Sequence, residues 1–225
     1  MQGAFVAGAL GNLVRDDYNT STVESRALIL RGHNTRRLSF VKRVVDFSVA
    51  TSFLFFCFPL LLAICCTVRA TSQGPGLFWS KRVGLGGRTF WMPKFRTMEL
   101  GSKLLSREIA GSSDFKMTPI GDFLRRTSID ELPQLWSVML GDMSLIGPRA
   151  LLPNDIAGPE RAKYPDIYTV RPGISGLAQI KGRNIVTPRR KALYDIFYVR
   201  RTRPKFDLWI FWQTLIIIVD RKIIK

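Results

Sequence analysis

Residues 47–68 read FSVATSFLFFCFPLLLAICCTV, 22 positions without a charge. As one α-helix this run is about 33 Å long, enough to cross a hydrocarbon core of roughly 30 Å. A single transmembrane anchor is therefore the plain reading. Two features weigh against it. Pro59 lies mid-run, removes a backbone donor, frees the carbonyl of Phe55 and kinks the helix. The flanks are also both basic: Arg31, Arg36, Arg37, Lys42 and Arg43 precede the run, and Arg69, Lys81, Arg82 and Arg88 follow it. Positive flanks pull both ends toward the cytoplasm. A helix broken at Pro59 that enters and leaves on one face satisfies both ends. Kinked spanning helices satisfy the same sequence, so the residues alone leave the two readings open.

Outward from this run, the chain divides into a tail (1–38), the membrane helix (39–69) and a cytosolic part that ends in an interfacial helix (70–225). Residues 1–14 lack the basic start and cleavage site of a secretory signal, and 1–38 reads as a variable, poorly ordered tail. The 225 residues carry 34 Lys and Arg against 17 Asp and Glu, a net charge of +17. That balance points to a polyanionic partner: nucleic acid, anionic lipid or phosphorylated substrates. A hydrophobic fraction of 46% excludes wholesale disorder. Cys57, Cys65 and Cys66 all lie in the apolar run, so there is no disulfide scaffold. His33 is the one histidine, which excludes a His-rich metal site and any Ser-His-Asp or Cys-His mechanism that does not use it. Chemistry must then rest on carboxylates, Lys, Arg, hydroxyls or an oxygen-bound metal.

In the soluble part, Gln73-Gly74-Pro75-Gly76 is a turn. Phe78, Trp79 and Val83 predict a strand, Gly84–Gly87 a turn and Thr89–Met92 the return strand. Between Lys81 and Arg96 stand five cations and no anion. Residues 99–117 read as a mobile connection. Thr118-Pro119 predicts a helix start, with Thr as N-cap. Leu132, Leu135, Trp136, Met139 and Leu140 form the stripe of an amphipathic helix that Gly141 ends. Residues 142–184, rich in Gly and Pro, predict loops around a site. From Lys181 to Lys205 there are nine cations and one anion, Asp195. Leu208–Val219 is apolar, too short to span, and suits an interfacial helix or an ordinary core helix.

Asp130-Glu131 is the constellation able to do chemistry. Ser128-Ile129-Asp130-Glu131 fits a capping box, but Pro133 then falls where it disrupts a helical bond. If the helix starts nearer Leu132, both carboxylates sit just ahead of its N-terminus, a natural place for phosphate. Arg125 and Arg126 precede the pair; Asp142, Arg149, Arg171 and Arg183 follow in loops. Carboxylates among arginines fit Mg²⁺ with a diphosphate. A carboxylate can also attack phosphorus as a nucleophile. Each arginine equally suits a solvated surface or a lipid headgroup.

These segments resemble a known family. Trp79-Ser80-Lys81-Arg82-Val83-Gly84 with Lys94-Phe95-Arg96-Thr97-Met98 is similar to the opening motif of the bacterial sugar transferases, the monotopic polyprenyl-phosphate phosphoglycosyl transferases. Thr127–Leu135 (TSIDELPQL) and Gly141–Arg149 (GDMSLIGPR) resemble its catalytic motif. Arg171–Gln179 (RPGISGLAQ) with Gly182-Arg183-Asn184, and Asp195–Val199 (DIFYV), resemble its later blocks. The match runs in order from about Leu38 to Val219. Two departures stand out: Ala150 follows Gly147-Pro148-Arg149 where proline is frequent, and Phe58 precedes Pro59 where serine is frequent. A serine hydroxyl satisfies the carbonyl freed by proline; here Thr51 or Ser52 would have to substitute.

The resemblance implies a predominantly helical α+β fold with a re-entrant helix broken at Pro59, a small β-hairpin and amphipathic interfacial helices. It implies transfer of a sugar 1-phosphate from a nucleotide diphosphate sugar, such as a UDP-hexose, to undecaprenyl phosphate. UMP leaves, and a covalent phosphosugar intermediate forms on Asp130. This is the first membrane step of exopolysaccharide, capsule, O-antigen or glycoprotein glycan assembly. Glu131 partners Asp130, and both hold Mg²⁺. Lys94, Arg96, Arg125, Arg149, Arg171, Gln179, Arg183 and Asp195 are the implied substrate-binding residues. The expected partners are the two substrates and the bilayer, without nucleic acid, and a homodimer is left open. The expected place is the cytoplasmic face of the bacterial inner membrane. The alternative is a membrane-tethered basic module that binds nucleic acid or lipid without catalysis. A scaffold for glycan export that has lost activity is a third reading.

Overall fold

The apolar run lies in one long helix, α1 (Ser21–Thr71), which continues through Pro59. The computed structural model describes the backbone of residues 21–101, 116–182 and 186–219, and side chains from residue 39 onward. Residues 1–44 and 45–225 form two compact units, and all contacts below belong to the second. The stretch Ser39–Thr71 is long and apolar enough to cross a membrane. Phe55, Phe56, Phe58, Leu60 and Leu62 are exposed on it. The suggestion that Thr51 compensates for Pro59 is not met: its buried hydroxyl makes no hydrogen bond.

Two short segments of this helix pack on the rest of the unit. Asp46 is buried and accepts hydrogen bonds from the Ser144 hydroxyl (2.7 Å) and the Leu145 N–H (3.1 Å). Ala50 joins a core with Met92, Leu135, Val138 and Met143. Beyond Pro59, Leu61, Ile64, Cys65 and Val68 pack with Phe95 and Leu124.

The hairpin forms as the sequence predicts. Strands β1 (Leu77–Val83) and β2 (Thr89–Phe95) pair antiparallel, joined by a 3₁₀ turn at Leu85–Gly87. The return strand runs three residues past the predicted Met92. Its inner face carries Ser80 opposite Met92, with Arg82 opposite Phe90 and Phe78 opposite Lys94. Successive side chains alternate faces, so Trp79, Lys81 and Trp91 point outward and are exposed.

Four expectations need correction. The helix expected from Thr118 begins three residues later, as α2 (Gly121–Arg126) with no side-chain cap. The reason is a close approach: a Cβ at Gly121 would lie 2.2 Å from the Thr97 carbonyl oxygen, so glycine starts the helix where the chain touches its neighbour. The capping box at Ser128 is not made either. Ser128 has φ 58°, its side chain caps nothing, and Ile129–Gln134 is a 3₁₀ helix with Pro133 inside. Third, the amphipathic stripe is rotated. The α-helical part is only α3 (Leu135–Leu140), which buries Leu135, Ser137 and Val138 and leaves Trp136 and Leu140 exposed. The 3₁₀ turn, with three residues per turn, shifts the phase of the apolar positions that follow. Gly141 ends α3 in the left-handed region, as expected.

Fourth, the expected loops of 142–184 contain regular structure. Strands β3 (Ser144–Ile146) and β4 (Gly173–Ser175) pair in parallel. Between and after them come α4 (Gly158–Ala162), a 3₁₀ helix (Pro165–Thr169) and α5 (Leu177–Ile180). A Cβ at Gly173 would fall 2.1 Å from the Gly147 amide nitrogen, so glycine permits this backbone contact. The chain closes with α6 (Pro188–Arg200) and α7 (Pro204–Val219). Helix α6 packs Ala192 and Ile196 against Ile167. On α7 Ile210 is buried while Leu208, Trp212 and Val219 are exposed. The described residues are mostly helical, with small β elements and one long apolar helix.

Candidate active site

Strand alternation puts Arg82 and Lys94 on the same inner face of the hairpin. Strand β2 packs on the 3₁₀ helix that carries Asp130 and Glu131. Beyond β3, Arg149 bridges to Gly173 of β4. These three pieces surround one cleft, lined by Arg82, Lys94, Glu131, Gln134 and Arg149, with Met143 behind them. Three cations converge on Glu131, with Asp130 next to it in the chain, a surplus of positive charge in a partly desolvated pocket. That arrangement favours a polyanion.

Asp130 is buried at 8% exposure. The Lys94 ammonium donates to Glu131 Oε1 at 3.1 Å. Burial pulls Lys94 below its ordinary amine value; Glu131 opposes that shift and Arg149 adds to it. Burial, then the neighbouring Arg149, brings Arg82 down to about 10, so it stays charged at neutral pH. Arg82 is held by its bonds to the Ser80 hydroxyl (3.0 Å) and the Ala150 carbonyl (3.3 Å). Ser128, just ahead of the pair, is the one residue other than glycine with positive φ among those described. A left-handed serine is a local strain, and such strain gathers at functional turns.

Of the residues singled out in the sequence, Lys94, Glu131 and Arg149 line the cleft, and Asp130 adjoins Glu131. The others are engaged elsewhere. Arg96 donates to the carbonyls of Ser72 and Gln73 just past α1, and to the Ser72 hydroxyl at 2.7 Å. Arg125 Nε donates to the Thr97 hydroxyl at 2.9 Å. Arg171 Nε donates to the Gly141 carbonyl at 2.6 Å, closing the end of α3. Gln179 reaches the Ile174 carbonyl at 3.4 Å, and its side-chain oxygen is buried without a partner. Asp195 is buried and paired with Arg161, Nη2 to Oδ2 at 2.5 Å; burial pushes its carboxyl up, opposed by Arg161. Arg183 lies outside the described residues.

Arg82, Gln134 and Arg161 were not singled out by the sequence. Arg82 was legible as the same-face partner of Lys94 once the hairpin register is set. Arg161 acts at one remove: its guanidinium donates to the Arg149 carbonyl at 2.6 Å while bound to Asp195. No spacing in the sequence points to that contact across 12 residues of loop and helix.

Among the described residues there is no group of three or more His, Cys, Asp or Glu side chains able to enclose a metal. Two adjacent carboxylates suit a cation that keeps waters and takes its remaining oxygens from substrate phosphates.

The family model described as Bacterial sugar transferase matches residues 37–221. The chain belongs to the bacterial sugar transferase family. All of the cleft residues fall within the matched span. The family resemblance extends to individual relatives. The chain is 37% identical over 189 residues to the UDP-glucose:undecaprenyl-phosphate glucose-1-phosphate transferase of Xanthomonas campestris pv. campestris, covering 79% of this chain and 37% of that protein. It is 34% identical over 209 residues to the UDP-galactose-lipid carrier transferase of Erwinia amylovora, covering 85% of this chain and 42% of that protein. It is 32% identical over 227 residues to the undecaprenyl-phosphate galactose phosphotransferase of Salmonella typhimurium, covering 91% of this chain and 47% of that protein. The chain thus spans less than half the length of these relatives.

Proposed function

We propose that this bacterial sugar transferase moves a sugar 1-phosphate from a UDP-sugar to undecaprenyl phosphate. The observation that carries this reading is the cleft in which Arg82, Lys94 and Arg149 stand around Glu131, the chain neighbour of the buried Asp130. The names of the relatives supply the substrate class: UDP-sugars and undecaprenyl phosphate.

In the proposed mechanism the cations hold the diphosphate and orient its phosphorus toward Asp130. The Asp130 carboxylate attacks the phosphorus that bears the sugar. The bond between the two phosphates breaks, UMP leaves, and a phosphosugar remains on Asp130. A phosphate oxygen of the lipid then attacks the same phosphorus and releases Asp130. Glu131, fixed by Lys94, keeps its carboxylate beside the reacting centre. Asp130 and Glu131 would hold Mg²⁺, which when bound offsets the diphosphate's charge.

The acceptor is a membrane lipid, and the same reading has α1 dip into the bilayer and return. The contacts support this. Asp46 just before the apolar run and Ala50 near its start, and Cys65 and Val68 at its end, pack on the same unit. Val68 lies 22 positions after Asp46, about 33 Å as straight helix, so a spanning helix would separate these contacts by a bilayer. The exposed Phe55, Phe56 and Phe58, just ahead of Pro59, would sit in the apolar interior, and α7 in the interface. With both flanks basic, the catalytic part lies on the cytoplasmic face of the inner membrane.

Intact-protein mass spectrometry tests the covalent step. Incubation with a donor and no lipid acceptor should add one sugar phosphate to the wild type and nothing to Asp130→Asn. An adduct that persists in Asp130→Asn contradicts the assignment.

A further inference from the structure

A second cavity of about 490 Å³ adjoins the cleft. Its lining includes Val83, Leu151, Leu152, Asp155, Ala162 and Tyr168. The two cavities share one seam. The Val83 N–H donates to the Leu151 carbonyl at 2.9 Å. One residue back on each chain, Arg82 and Ala150 line the cleft and are themselves bonded at 3.3 Å. Asp155 is near enough to act on the charge of Arg82.

The lining chemistry separates the two cavities. The cleft offers three cations and suits phosphate. The second cavity offers aliphatic walls, a tyrosine ring and a carboxylate, and a carboxylate repels phosphate. A nucleotide diphosphate sugar has an anionic centre with a neutral group at each end. Its nucleoside presents a flat apolar base and a ribose diol. Aliphatic and aromatic walls suit the base, and a carboxylate suits the diol as acceptor. Asp155 already accepts the Ala157 N–H through Oδ1 at 3.0 Å, which fixes its orientation, and a carboxylate has further acceptor positions. Asn154 also lines the cavity and can pair with the polar edge of the base, while the leucine, valine and proline walls suit a flat base better than the hydroxyl-ringed face of a hexose. The volume lies within the roughly 300–1,000 Å³ of small-molecule sites.

We propose that this cavity takes the nucleoside of the donor, with the diphosphate crossing the Arg82 seam into the cleft. The assignment rests on the donor class proposed above.

Calorimetric binding of UDP and of inorganic pyrophosphate, with Mg²⁺ and the full chain in lipid nanodiscs, tests it. Ala162 is exposed at the cavity wall, so Ala162→Trp fills the space from its rim. The expected result is UDP binding weakened about tenfold or more, with pyrophosphate unchanged within about twofold; tenfold corresponds to about 1.4 kcal/mol. Unchanged UDP binding in Ala162→Trp overturns the proposal and leaves the functional reading standing. If both ligands weaken together, Tyr168→Ala decides by the same comparison. A loss confined to UDP upholds the nucleoside assignment; an equal loss or none overturns it. Wild-type protein that binds neither ligand overturns this proposal and the donor class with it.

Discussion

Asp130 and Glu131 are neighbours in the first turn of one 3₁₀ helix, and the proposed mechanism gives Asp130 the nucleophile's role. Glu131 is tied to Lys94 at 3.1 Å, while Asp130 is buried in the first turn of a 3₁₀ helix behind a left-handed Ser128. Asp130→Asn keeps the shape and removes the nucleophile, so turnover should fall by at least about a thousandfold while sedimentation with membranes is unchanged; for a single group that acts as nucleophile such losses are ordinary. Retained activity removes Asp130 from that role. Lys94 makes a separate prediction. Its amine sits below the ordinary 10.5, chiefly through burial. The amine is cationic below its pKa, so activity that needs the cation falls as pH rises through that lowered value, in a window beneath 10.5. Lys94→Arg stays charged throughout. The alkaline limb of the rate profile should therefore move to higher pH in the variant. A limb that stays in place contradicts the role given to Lys94.

At the scale of elements, α4 and α6 are joined by the buried pair Arg161–Asp195, which also grips the Arg149 carbonyl. Arg161→Met leaves Asp195 buried without its cation, a loss of roughly 3–5 kcal/mol for a buried pair broken on one side. The thermal midpoint should drop, and Asp195→Leu added to Arg161→Met should restore much of it. A single variant as stable as the wild type would mean that the pair carries little of this contact. The hairpin was legible because alternation and a glycine turn are local signals. The rotated face of α3 was not, because Pro133 and the 3₁₀ turn reset its phase. The parallel pairing of β3 with β4 joins segments almost 30 residues apart through glycine contacts such as Gly173 on Gly147. Three-residue strands leave no periodicity to read. The Asp130-Glu131 pair stood out by charge and context, whereas Lys94, Arg96, Arg125, Arg149 and Arg171 looked equivalent until the fold put Lys94 and Arg149 in the cleft and gave the others a backbone or hydroxyl partner.

For the whole molecule, net charge and apolar surface act together at a membrane. The charge of +17 favours anionic lipid, an attraction that salt screens. The exposed apolar side chains of α1 and α7 are not screened. Washing membranes with about 1 M salt, where the screening length is about 3 Å, should leave the protein in the pellet; full release would mean that charge alone holds it. The proposed return of α1 makes a sharper prediction. In a cysteine-free background, Lys42→Cys and Arg69→Cys should both resist an impermeant thiol reagent added outside spheroplasts and react once the membrane is opened. Labelling of either from outside means that the helix spans. Turnover is tested most directly by nucleoside monophosphate release from a panel of UDP-sugars with Mg²⁺, with and without undecaprenyl phosphate, for wild type and Asp130→Asn. Lipid-dependent release is expected with at least one donor, and none from the variant. Release that ignores the lipid, persists in Asp130→Asn, or fails with every donor contradicts the proposed reaction.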